Sequence, residues 1–195
     1  ATANNLATAE SIKAYVDSQT HTETEFLMAK CTAIATTSAT NGEAYAVIIP
    51  FNTQAVDEGT DIIISQVTGE ENNFRITSTT GTYLFQWNVA ANTSVYNNRL
   101  TCGVKLQIGT YIEEGEPYWE YADIDPSHCY IYNRAVTTGG ISRLGSTAGS
   151  ILVEHNIGDT DHIYRLVFWK DTSSTATTKG ITEIDGTQIT IRKLT

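Results

Sequence analysis

The sequence predicts an all-β protein, an antiparallel sandwich or jelly roll, preceded by a short helical arm. Three observations carry this. Roughly nine or ten short segments alternate apolar with polar residues, and turn-forming residues separate them. One segment sets Tyr83, Phe85, Trp87 and Val89 at period two, so four large apolar side chains share one face. A face of that kind must bury against a second sheet, because one sheet cannot cover its own sides. Near the end, Asp185-Gly186 divides two alternating segments, which is a hairpin signal.

Residues 1–25 read as an arm and linker, and residues 26–195 as the jelly-roll domain. In the arm, Thr8 is a fair N-cap, and Ile12, Tyr15, Val16 and Gln19 follow at helical spacing. A helix of about three turns with so narrow an apolar stripe is marginal alone in water. It either self-associates as a short coiled coil or packs on the flank of the domain.

Strands are then expected over Phe26–Thr36, Ala44–Phe51, Asp61–Gln66, the pair within Phe74–Val89, Leu100–Ile112, His128–Arg134, Ser150–His155, His162–Lys170, Ile181–Ile184 and Thr187–Leu194. Pro50 places the end of the second at an edge or bend. Ser150–His155 and His162–Lys170 read as a late pair joined by a polar turn.

The chain has 195 residues and a net charge of −10. Phosphates would be repelled, so nucleic acid is not an expected partner. No apolar run approaches the roughly 20 residues of a membrane span, and no signal peptide is visible. The first residue is Ala, so the chain is read either as processed or as a piece of something longer. Cys31, Cys102 and Cys129 are too widely spaced for a zinc ribbon or a redox motif. They are expected as reduced, buried thiols, and nothing demands a Cys102–Cys129 bridge.

Phe74 followed by Gly81-Thr-Tyr-Leu-Phe-Gln-Trp-Asn-Val89 resembles the signature strand of the complement globular-head and tumour-necrosis-factor-like jelly rolls. Gly149–Trp169 resembles that family's later strand pair, and TQITIRKL resembles the closing strand of phage versions of the fold. Asn4–Gln19 is similar to a segment that recurs in phage tail-fibre proteins. The chain differs from the secreted animal members in lacking a collagen-like repeat and in carrying an insertion over Gly109–Asp125. The resemblance therefore implies a virion fibre or other surface appendage, a homotrimer that attaches phage to a host cell-surface glycan or protein. The arm would join it to other virion proteins. The alternatives are a structural trimerisation or capsid-decorating module without a receptor, and a polysaccharide-degrading tail enzyme.

The residues place the candidate sites. In His162–Lys170 both faces are apolar, with Ile163, Val167 and Trp169 on one and Tyr164, Leu166 and Phe168 on the other. A strand apolar on both faces is buried on both. Tyr164, Leu166 and Phe168 are assigned to a trimer interface. Between Tyr111 and Tyr132 lie six of the chain's 18 aromatic residues, which makes this stretch the first place to look for recognition. Tyr118, Trp119 and Tyr121 fall in an acidic, non-alternating stretch read as a loop, and they are the candidate ligand-binding residues. His155, Asp159, Asp161 and His162 could ligate a metal, and Asp123, Asp125 and His128 a hard cation. Both clusters read as polar turns, so no metal or cofactor is expected. No GxSxG or HExxH occurs. The carboxylates of Glu113, Glu114, Glu116 and Glu120 read as solvated loop charge, so an enzyme is not expected.

Overall fold

The computed structural model describes residues 25–65, 72–77, 80–94, 99–115, 118–134, 145–156, 162–175 and 177–195. The arm helix expected around Ile12–Gln19 lies outside the described residues.

The described residues form thirteen strands: β1 Phe26–Lys30, β2 Val47–Ile48, β3 Thr53–Glu58, β4 Ile62–Ile64, β5 Phe74–Ile76, β6 Thr80–Thr93, β7 Arg99–Ile112, β8 Tyr118–Asp123, β9 Cys129–Arg134, β10 Gly145–Asn156, β11 His162–Lys170, β12 Gly180–Thr182 and β13 Gln188–Lys193. One sheet, A, runs β10-β6-β13-β1-β3, with β12 also on β6. The other, B, runs β4-β5-β11-β7-β8, with β2 on β11 and β9 on β7. Every pairing is antiparallel. The chain changes sheet at each step from β1 to β4, between β5 and β6, between β6 and β7, on each side of β10, and between β11 and β12. That is the winding of a jelly roll. No helix among the described residues is long and apolar enough to cross a membrane.

The alternation in β6 decides the core. Tyr83, Phe85, Trp87 and Val89 are buried in the core, where Phe85 and Trp87 meet residues of sheet B. Phe85 packs on Tyr164 with ring centroids 5.0 Å apart. Trp87 fits because its cross-strand neighbour is Gly149. A Cβ there would stand 2.3 Å from the indole, so the large residue requires the small one.

Four expectations need correcting. Tyr164, Leu166 and Phe168 point into the space between the sheets and are fully buried within one chain, so they are not an interface surface. Ile163, Val167 and Trp169 occupy the opposite face of β11, and they too are covered by the same chain. Ser150–His155 and His162–Lys170 are not a hairpin, because β10 lies in sheet A and β11 in sheet B. Asp185-Gly186 does not close a hairpin either. β12 and β13 lie one after the other along β6, with Thr182 beside Ala91 and Gln188 beside Asn88. Ala44–Phe51 divides into a 3₁₀ turn, Glu43–Tyr45, and the two residues of β2.

β3 was not foreseen. Its six residues are all exposed, so no burial pattern marks them. Glu25, the first described residue, is bound to the sheets: its backbone oxygen accepts from Lys193 N at 2.9 Å, and its side chain accepts from Asp61 N at 2.9 Å.

Candidate ligand-binding face

Tyr118, Trp119 and Tyr121 do not lie in a loop. Tyr118–Asp123 is strand β8, paired with the end of β7, and Gly115 supplies the positive φ of 84° needed in the turn between them. β9 pairs with the other end of β7. The two strands together form one edge of sheet B. Because pairing is in register, the outward residues of β11, β7, β8 and β9 stand in rows across the outer face.

The first row is Trp169, Gly103 and Tyr130. The indole of Trp169 lies over Gly103, and Tyr130 meets it edge-on at 6.1 Å. His128 meets the same indole edge-on at 5.7 Å, and the Lys105 ammonium lies 5.2 Å from its centroid. Trp169 is thus a buried floor with aromatic and cationic groups around it. Tyr130 and its neighbour in the edge strand, Tyr132, are about half exposed, at 52% and 59%.

The next rows carry a polar chain. Arg165 Nε donates to Gln107 Oε1 at 2.9 Å, and Gln107 Nε2 donates to Asp123 Oδ1 at 2.9 Å. Lys105 Nζ donates to Asp123 Oδ2 at 2.6 Å and to Glu43 Oε2 at 2.7 Å. Glu43 comes from the 3₁₀ turn, so this pair ties that turn to the sheet. The Arg165 guanidinium stacks on the Tyr121 ring, 3.1 Å from its centroid. Tyr111 and Trp119, a cross-strand pair, pack at 5.2 Å.

The charges are settled by these contacts. Burial disfavours the Lys105 ammonium, but the hydrogen bonds and charges of Asp123 and Glu43 outweigh it and raise its pKa. Burial likewise opposes ionisation of Asp123, and the bonds from Lys105 and Gln107 outweigh it and hold the carboxyl below the usual range. Lys105 and Asp123 are therefore both charged at neutral pH.

The structure divides the sequence-predicted ligand residues. Tyr118 is exposed, whereas Trp119 and Tyr121 are half-buried, held by Tyr111 and by Arg165. The exposed aromatics of this face include Tyr130 and Tyr132, whose alternation with buried Ile131 and Asn133 was legible but not used. Asp123 and His128 do converge, together with Glu43, within 4.8 Å. The cation among the carboxylates is Lys105. Asp125 is largely exposed, 3.6 Å from His128 Nδ1. No sequence signal links Glu43 to this cluster, because the turn that carries it lies far from β7 in the chain. At the other candidate cluster His155 and His162 come together, and Asp159 and Asp161 lie outside the described residues. Cys31, Cys102 and Cys129 are free thiols, and only Cys129 is not fully buried.

No protein-family model matches the chain, and no curated protein matches it. Among solved structures, murine APRIL at pH 8.0 is similar at 12% identity and a TM-score of 0.48, over 88% of this chain and all of that one. The Eiger TNF of S. frugiperda is similar at 11% identity and a TM-score of 0.46, over 89% of this chain and 94% of that one.

Proposed function

We propose that this chain is a non-enzymatic, homotrimeric module of a virion appendage that attaches to a host cell-surface ligand through the outer face of sheet B. The observation that carries the proposal is the exposed pair Tyr130 and Tyr132, set on a rigid floor of Trp169 and the Lys105 ion triad. Tyrosines held on a scaffold offer flat, amphipathic area at low entropic cost, which suits sugar or protein recognition. The virion setting rests on the similarity of Asn4–Gln19 to tail-fibre segments.

The outer face of sheet A supports self-association. Leu152, Leu84, Arg192, Phe26 and Glu58 share one row across the sheet, and Ser150, Gln86, Thr190, Met28 and Val56 share the next. Leu152 is 59% exposed and Val56 41%. The non-enzymatic reading is supported by Glu43 and Asp123, the carboxylates that meet on the outer face of sheet B. Both are paired with Lys105, and its hydrogen bond helps hold the Asp123 carboxyl below the usual range, so Asp123 is not poised as a general acid. Binding of fluorescently labelled protein to a panel of bacterial cells, with the Tyr130→Ala/Tyr132→Ala variant as control, tests the proposal.

A further inference from the structure

His155 closes β10 and His162 opens β11, at one end of the sandwich. His155 is 2% exposed. Its Nδ1 lies 2.9 Å from the Tyr164 hydroxyl, while its Nε2 is buried and has no hydrogen-bond partner. A buried ring nitrogen left unpaired is costly, and such an atom calls for an explanation. The His162 Nδ1 lies 3.4 Å from the Thr110 hydroxyl. Both rings therefore engage a hydroxyl through Nδ1. Outer-shell contacts of this kind orient an imidazole so that its Nε2 is the ligand atom.

The spacing fits a shared ion. The ring centroids are 5.8 Å apart and the planes nearly perpendicular, at 83°. Two imidazoles bound to one tetrahedral ion at about 2.0–2.1 Å have centroids roughly 5–6 Å apart. The Tyr83 ring stands edge-on to His155 at 5.9 Å, and its hydroxyl is also buried without a partner. The Lys193 ammonium, 6.0 Å from the Tyr83 ring centroid, is paired with Asp61 at 3.2 Å. The contrast with the Glu43–Asp123–His128 cluster is direct: the Lys105 ammonium is bonded to the carboxylates there, and here two imidazoles meet edge to face.

We propose that His155 and His162 form a two-imidazole site for a divalent transition-metal ion of the zinc, copper or nickel class, bound through the Nε2 atoms and completed by water. The site stands independently of the attachment reading.

The test is calorimetric titration of the chelator-treated full chain with zinc chloride and, separately, nickel chloride. The expected result is saturable binding of one ion per chain. His162→Gln should weaken it at least about tenfold without moving the unfolding midpoint of the metal-free protein. Tyr164→Phe, which removes the group that orients His155, should weaken binding by roughly 10–100-fold. Absence of saturable binding, equal binding by His162→Gln, or one ion per three chains would overturn the proposal.

Discussion

Trp169 and Gly103 are cross-strand neighbours in such close contact that a Cβ on Gly103 would stand 2.0 Å from the indole. The bulkiest side chain of the outer face can lie flat only over a residue with none. Gly103→Ala should displace the ring, destabilise the domain by roughly 1–3 kcal/mol through overpacking, and loosen Tyr130 above it. Thermal unfolding together with near-ultraviolet circular dichroism would read both effects. An unchanged tryptophan signal would show that the indole does not need this seat.

Lys105 should stabilise the face as an ion, and its contribution should follow pH in a defined way. Asp123 has a depressed folded pKa, so its share is present above the unfolded value of about 3.9 and is lost as pH falls through the folded value. Lys105 has a raised folded pKa, so its share is present below about 10.4 and is lost as pH rises through the folded value. The contribution is therefore flat around neutrality. Lys105→Met should cost roughly 1–2 kcal/mol at pH 7, toward the low end for a broken buried pair, because Glu43 and Asp123 remain partly solvated. Denaturant melts from pH 3 to 7 should show a shallower acid slope in the variant. An equal slope would mean that the triad does not couple to folding.

Phe168 and Leu152 separate the core from the proposed contact surface. Phe168→Ala should unfold or soften the subunit, at a cost of about 3–5 kcal/mol, because the side chain fills the space between the sheets. Leu152→Arg should leave the subunit folded but abolish the trimer, since that side chain is exposed on sheet A. Circular dichroism and light scattering after size exclusion distinguish these outcomes. A wild-type monomer would remove the basis for the second expectation.

The thiols should differ in reactivity. Burial pushes the Cys102 thiol up to about 12, and burial also raises Cys31 despite the hydrogen bond it donates to Ala33 O. Only a thiolate attacks a disulfide reagent, so neither should react at pH 8 in the native state. Titration with an aromatic disulfide should count at most one thiol per native chain, from Cys129, and three after denaturation.

The jelly roll was legible because its core strands obey a short-range rule. Tyr83, Phe85, Trp87 and Val89 alternate with polar neighbours, and period two is visible in the sequence. Strand β11 was equally visible, but which of its apolar faces looks inward depends on the sheet opposite. Tyr164 was therefore assigned outward, although Phe85 covers it. β8 was hidden because Tyr118–Asp123 lies at an edge, where burial does not impose a clean alternation. Asp185-Gly186 was a true turn with the wrong implication, since both flanking strands chose β6 as their partner. The Glu43–Lys105–Asp123 triad joins three distant segments, and long-range contact of that kind leaves no local pattern.

The most direct test of the account is adsorption of fluorescently labelled, purified protein to a panel of bacterial cells, measured for the wild type and for Tyr130→Ala/Tyr132→Ala. The account predicts saturable binding of a trimer to at least one strain, and a drop of at least about tenfold in the variant at unchanged oligomeric mass. Equal adsorption by both proteins, or no adsorption to any strain, would contradict it.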